Sequence, residues 1–344
     1  MRIFCDFHHG ALARSMFYLF CDRLGHDFSF MDVPSTIEAG ACQDGTWGCP
    51  NDDYWTNHGI SEDLLQGKFS WASYADFKEG NFDVMILSRP ESRKIYHQAG
   101  HPKPGIIYIG VSGNEGTHYD WNWVKNFLAT DIRSFDECPD TVHKINTPQE
   151  LGRHFDEGFV PIKAEDLGNI STFTNNLKGF DTLFQPRNID YPVNIYQLWL
   201  ELKALMPHTD FTAYGHGNHL IGGESIIESA LAPYYHGSSL IWNFKTCDGY
   251  GHSVLQSLPS GRIPLVPIGF FDDRMAGRYL REDEGTCIEC SYNPADMADA
   301  VREYTSDLDT ANERALRCYE SYKRLMNWEA EAERVREWLE GAHE

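Results

Sequence analysis

The sequence predicts an α/β protein of two domains, each a parallel sheet with helices packed against it. Three observations lead there. Residues 2–33 read as strand, helix, strand. Short, largely apolar runs at 82–88 and 105–111 then alternate with helical stretches, as in parallel sheets. Residues 239–268 read as strand, glycine turn, helix, strand. At 344 residues the chain is long enough for two such domains.

Composition narrows the class. Hydrophobic residues make up 42% and aromatics 13%, enough for packed cores. No apolar run reaches the roughly 18 residues of a membrane span. The N-terminal residues meet charge and histidine too soon for a secretory signal. Nine cysteines are an odd number without disulfide spacing, which suits a reducing cytoplasm. Cys287 and Cys290 form a lone CxxC with no second pair, which points away from zinc. A net charge of −22 opposes general nucleic-acid binding.

Taken in order, residues 2–7 alternate and form the first strand. His8-His9-Gly10 turns into a helix over 11–24, with Leu12, Met16, Leu19 and Phe20 on one face and Gly25 as its stop. A strand follows at 27–33. Ligands of open α/β sheets sit beyond the carboxyl ends of the strands, so His8 and His9 are candidates for ligand contact, and imidazole titrates near neutrality. The residues alone do not choose between the two. Residues 34–80 read as an irregular insertion in which Trp47, Tyr54 and Trp55 pin a loop or stack on a ligand. After the strand at 82–88 come a short helix at 92–99, a strand at 105–111 and a glycine loop that carries Glu115. The apolar stretch 121–128 suggests a helix.

Residues 159–162 suggest the closing strand of the first domain, and the polar stretch 163–178 a connector. An amphipathic helix is expected at 195–205, stopped by Met206-Pro207, then a strand and glycine loop from 210 to 218 and a helix from 224 to 235. After the strand–turn–helix–strand unit come a short strand at 285–290 and a helix from 294. Helical, charge-rich sequence runs from 312 to 339, and its charges suit i,i+4 pairing.

Within that unit, Lys245 precedes Asp248-Gly249-Tyr250-Gly251, and a helix begins near His252. Val254, Leu255 and Leu258 share one face. Glycines let backbone approach a ligand, and the first N–H groups of a helix lack internal partners, so the turn suits phosphate. Gln256 lies where a side chain can reach back toward a sugar hydroxyl.

This stretch resembles the nucleotide-sugar site of GT-B glycosyltransferases, in particular the retaining families. Their pattern is an acidic residue, a Gly-aromatic-Gly turn, a short helix with a second acidic residue, then small-x-Gly and Pro before an apolar strand. Asp248 keeps the first charge on a shorter arm. Gln256 holds the second position and keeps hydrogen bonding without charge. The resemblance implies two Rossmann-like domains facing a central cleft: residues 1–165 on the acceptor side, 166–325 binding the nucleotide sugar, and 326–344 as a helix returning to the first domain. It implies catalytic roles for Asp248 and for His8 or His9. Donor binding would fall to Arg187 and Lys245 on the pyrophosphate, and to Gly249, Tyr250, Gly251, His252, Ser253 and Gln256. The expected activity is transfer of a sugar from a nucleotide-activated donor, the only cosubstrate, to an acceptor hydroxyl. No Asp-x-Asp ends a strand, so no metal is implied, and no other cofactor is. The acceptor stays open and includes a hydroxymethylated DNA base. A sugar-nucleotide epimerase, a phosphorylase or a non-catalytic nucleotide-sugar binder would carry the same motifs.

Overall fold

A computed structural model describes residues 1–6, 15–32, 68–87, 92–111, 119–129, 132–147, 158–180, 190–215, 217–224, 226, 231–244, 252–272, 285–325 and 327–342. The chain divides into two compact units, one formed by Met1–Gly152 with Met326–Glu344 and the other by Arg153–Leu325.

The first unit is built on β1 (Arg2–Asp6), β2 (Asp27–Met31), β3 (Phe69–Ala72), β4 (Val84–Leu87), β5 (Ile107–Val111), β6 (Asn126–Ala129) and β7 (His143–Asn146). They form a parallel sheet in the order β3-β2-β1-β4-β5-β6-β7. Every residue of β4, β5 and β6 is buried, because a parallel sheet covered on both faces leaves its central strands no wet side. Helices α1 (Tyr74–Glu79), α2 (Ser92–Gln98) and α3 (Ile132–Glu137) join the strands. Ser73 and Asp76 cap α1 reciprocally. The segment expected as one helix over 11–24 contains a π-helix at Tyr18–Arg23.

Two expectations fail here. The stretch 121–128 is a turn followed by β6, because the short apolar run Phe127-Leu128-Ala129 fits a central strand as well as a helix. Trp121 and Trp123 pack from the turn onto the core. The insertion also hides β3 and α1, whose strand is only four residues long and sits at the sheet edge.

The second unit holds β8 (Ile170–Thr172), β9 (Phe211–Ala213), β10 (Leu240–Trp242), β11 (Ile263–Pro267) and β12 (Ile288–Cys290). Their order is β12-β11-β10-β8-β9, again parallel. Helices are α4 (Ile195–Leu205), α5 (Ala232–His236), α6 (His252–Ser257), α7 (Pro294–Tyr304) and α8 (Leu308–Leu325). The amphipathic reading of α4 holds to the residue, and its Asn194 cap takes the Gln197 N–H at 2.8 Å. The expected strand at 159–162 is extended chain without strand pairing. Its apolar residues serve another purpose. Ile162 packs with Ala311 and Ala315 of α8, with Phe159 against them, and Asn312 holds the Ile162 main chain by both N–H and carbonyl. The supposed connector contains β8.

One side chain ties this unit together. Arg262, 1% exposed, donates to five main-chain carbonyls: Tyr235 and His236 at the end of α5, Ser260 and Gly261 after α6, and Val160. Burial lowers its pKa to about 10 against the opposing pull of Asp166, so it stays cationic at neutral pH.

A last helix, α9 (Trp328–Gly341), belongs to the first unit. His143 stacks on Trp338 and donates through Nε2 to the Trp338 carbonyl at 2.8 Å. Arg334 reaches Asn146, and Trp328 meets Tyr18 edge-on.

Replacing Arg262 by Met leaves several buried carbonyls without a donor, at roughly 1–3 kcal/mol each. The melting midpoint of Arg262→Met should fall by roughly 10 °C, at about 2–4 °C per kcal/mol for a unit of this size. A calorimetric midpoint unchanged in that variant would show that the carbonyls find other partners.

In the first unit His101 is buried, with Nδ1 2.6 Å from the Tyr108 hydroxyl and Nε2 3.0 Å from the Phe77 carbonyl. A carbonyl only accepts, so Nε2 carries the proton and Nδ1 accepts from Tyr108. Burial lowers the imidazole pKa, the Phe77 carbonyl opposes and Lys103 adds to the fall. The unfolded chain therefore binds more protons than the folded one below about pH 6.5. Stability from this site is full above that pH and is lost as pH falls toward the lowered folded value. Urea titrations between pH 5 and 7.5 should show a shallower acid loss for His101→Gln than for the parent, and equal slopes would remove His101 from the linkage.

Candidate functional site

The strand orders give each sheet one switch point. In each sheet the chain reverses direction once, between β1 and β4 in the first unit and between β8 and β10 in the second. Ligands of open parallel sheets bind beyond the carboxyl ends of the strands at such points.

In the second unit the carboxyl end of β8 runs into Phe173 and Thr174, and that of β10 into Asn243 and Phe244. The polar side chains here are buried: Thr172, Thr174, Asn218 and Asn243 are all fully enclosed. Asn218 sews the loops together. It donates to the Thr174 carbonyl at 2.8 Å and the Tyr214 carbonyl at 2.9 Å, and accepts the Leu177 N–H at 2.8 Å. Asn218 was not among the expected site residues. No local pattern marks it, because two of its three partners lie about forty residues away in β8's loop.

The strand–turn–helix–strand unit is present as β10, α6 and β11. Val254, Leu255 and Leu258 are buried as their spacing predicts. Ser253 and Gln256, three apart on α6, are 8% and 4% exposed. Gln256 Oε1 accepts from the Tyr235 hydroxyl at 3.2 Å, and that hydroxyl also lies 3.3 Å from the Ser253 carbonyl. Tyr235 in turn stacks on Phe173, with ring centroids 3.7 Å apart. The structure thus joins Ser253 and Gln256 to the switch-point loop through Tyr235. His8, His9, Glu115, Arg187, Lys245, Asp248, Gly249, Tyr250 and Gly251 lie outside the described residues. His252 opens α6, and its side chain lies outside them too.

The first unit shows a residue that the sequence reading passed over. Asp6 ends β1, in register with Leu87 at the end of β4, and is 3% exposed. Tyr96 is fully buried, and its hydroxyl has no hydrogen-bond partner among the described residues. Burial raises the Tyr96 pKa first and the negative charge of Asp6 second. Tyr119 closes the neighbouring strand ends, accepting the Val111 N–H at 3.0 Å and donating toward the Leu87 carbonyl at 2.7 Å. An acid ending an apolar first strand was the available signal for Asp6.

Two other features lie away from the switch points. A polar hollow of about 380 Å³, lined by Asp166, Asn169, Lys203 and Asp210, lies at the amino ends of β8 and β9, the opposite edge from the switch point. Cys290 of the CxxC is buried, and burial raises its thiol pKa to about 11 with Asp296 adding to the rise. Among the described residues no group of His, Cys, Asp or Glu is placed to hold a metal, and no helix is long and apolar enough to cross a membrane.

Neither a protein-family model nor a curated protein sequence matches the chain. Solved structures do. The chain aligns over 99% of its length with 98% of sucrose-phosphate synthase from Thermosynechococcus elongatus, at a TM-score of 0.65 and 12% identity. It aligns over 98% with 99% of Anabaena HepE, solved with UDP and glucose, at 0.63 and 9%. With S. aureus TarM the match covers 74% of this chain and about half (55%) of that one, at 0.52 and 12%. All three are GT-B glycosyltransferases. This is the GT-B fold. In GT-B terms the first unit is the N-terminal Rossmann-like domain and the second the C-terminal one, with α9 grouped with the former.

Proposed function

We propose that this chain is a glycosyltransferase that moves a sugar, a hexose or a close relative, from a nucleotide-activated donor to an acceptor hydroxyl. The observation that supports the reading is the β10–α6–β11 unit: its strands and helix flank in sequence the turn that resembles a nucleotide-sugar site, in a chain with the GT-B fold. The reaction class needs little else from the protein. The acceptor oxygen bonds to the anomeric carbon, the bond from that carbon to the phosphate oxygen breaks, and the electron pair leaves with the nucleoside diphosphate. Cations stabilise that growing charge, the role proposed for Arg187 and Lys245. Such chemistry needs no metal. On the acceptor side we assign proton transfer or acceptor positioning to His8 or His9 and to Asp6, with Asp248 beside the donor sugar. The charge of −22 disfavours a DNA acceptor, and free cysteines suit the cytoplasm.

A thermal-shift panel of nucleoside diphosphates and their sugars should raise the melting midpoint for at least one base, since a ligand of the native state stabilises it. Lys245→Ala and Arg187→Ala should then each weaken that nucleotide by about 1.5–3 kcal/mol, the range for hydrogen bonds to charged groups. A flat panel, or calorimetric constants unmoved in both variants, would count against the donor site.

Turnover separates the acceptor side. Asp6→Asn and His8→Ala or His9→Ala should lower kcat by tenfold or more, on the order of general acid–base effects, while leaving nucleotide affinity within about twofold. If all three turn over normally at saturating substrate, the first unit's switch point takes no part in the chemistry. Release of free nucleotide without acceptor, or interconversion of the donor sugar, would favour a hydrolase or epimerase instead.

A further inference from the structure

We propose that the polar hollow at the amino ends of β8 and β9 is a second binding site, away from the switch point, and that it takes a neutral saccharide unit. Its volume of about 380 Å³ falls within the range of small-ligand sites.

Ser171 is the residue that points to a ligand. It is the middle residue of β8, is 3% exposed and lines the hollow. Thr212 of β9 stands in register beside it, so the two side chains share one face of the sheet. Thr212 is hydrogen-bonded to Tyr214. The Ser171 hydroxyl has no such partner among the described residues and opens to the hollow instead. A hydroxyl held inside a strand and left unmet by the protein favours a polar group that comes to it.

The charges around Ser171 balance. Lys203 and Asp210 both line the hollow, and neither is in an ion pair among the described residues. Asp166 lines it too, but its charge is answered from behind: it opposes the fall in the Arg262 pKa, which places it near that buried guanidinium. One cation and one anion remain, so the hollow selects against both charged classes of ligand. What it offers is hydrogen bonding in both senses. Lys203 donates, the two carboxylates accept, and Ser171 does either. Asn169 spends its amide nitrogen on the Glu165 carbonyl at 3.4 Å, which leaves its oxygen as a further acceptor. A saccharide matches this set. It carries no charge, and each of its hydroxyls both donates and accepts.

A titration followed by saturation-transfer NMR on the full chain tests the proposal. The probes are glucose and N-acetylglucosamine, free and as linear trisaccharides, with putrescine and inorganic phosphate as charged counterparts. The parent should take at least one saccharide with a dissociation constant on the order of 1 mM, and the free and chain forms show whether the unit is read alone or within a glycan. Ser171→Ala and Asp210→Asn should each weaken it by about three- to tenfold, the worth of one hydrogen bond. Asp210 is exposed, so Asp210→Asn keeps the fold whatever Ser171→Ala does to it. Added UDP should leave the saccharide bound. Equal affinity in the parent and both variants overturns the proposal, as does displacement by UDP, because the sugar then sits elsewhere. Tighter binding of putrescine or phosphate overturns the ligand class. No saccharide signal far above the millimolar range leaves the hydroxyl to water and overturns the site. A saccharide bound through Ser171 and Asp210 in a chain that takes no nucleoside diphosphate sustains the hollow and fails the donor reading alone.

Discussion

A buried guanidinium organises the second unit. Taking a charge out of water is costly unless it is fully hydrogen-bonded. Arg262 meets that condition with main-chain oxygens: two at the end of α5, two after α6, one in the segment before β8. Carbonyls at a helix end outrun the helix's own donors; at the end of α5 Arg262 adds to the turn that already engages the Tyr235 carbonyl and reaches that of His236. Because one planar group serves all five, the three segments cannot shift independently. Gly261 shows how closely they fit. Its φ is +63°, and a side chain there would strike the Phe159 ring. The geometry at α6 is inherited from this arrangement, since the tyrosine that contacts Gln256 is anchored by the same arginine.

Much of the fold was legible because it was local. Helix α4 combines an apolar stripe, an Asn cap and a following Met-Pro, and each signal is readable within a dozen residues. β10, α6 and β11 were readable for a similar reason: two apolar runs bracket a glycine turn. The misread segments have in common that distant partners decide them. Asn126 to Ala129 becomes a strand because β5 and β7 lie on either side of it. β8 is three residues, Ile170 to Thr172, in polar surroundings, and only pairing with β9 and β10 makes it an interior strand of a sheet. Phe159 and Ile162 are apolar for the sake of α8, not of a strand.

The site divides along the same line. Ser253 and Gln256 stand out in the sequence by their spacing from the glycine turn. What Gln256 faces does not, because Tyr235 lies 21 residues earlier, on another helix. Arg262 looks in sequence like one more surface arginine beside a glycine. Asp6 carries a local signal, an acid at the end of an apolar strand, immediately before the paired histidines.

The placement of α9 has a consequence for how the protein is made. The first unit is discontinuous: its sheet is complete by β7, yet the helix bonded to both ends of that edge strand, through His143 and Asn146, comes from residues 328–341. A ribosome adding roughly 5–20 residues per second leaves that strand waiting on the order of ten seconds for its partner. During that interval the second unit emerges and has everything it needs, because its arginine and its carbonyls all lie between residues 153 and 325. The order of maturation therefore runs against the order of synthesis, with the domain that begins the chain the last to be finished.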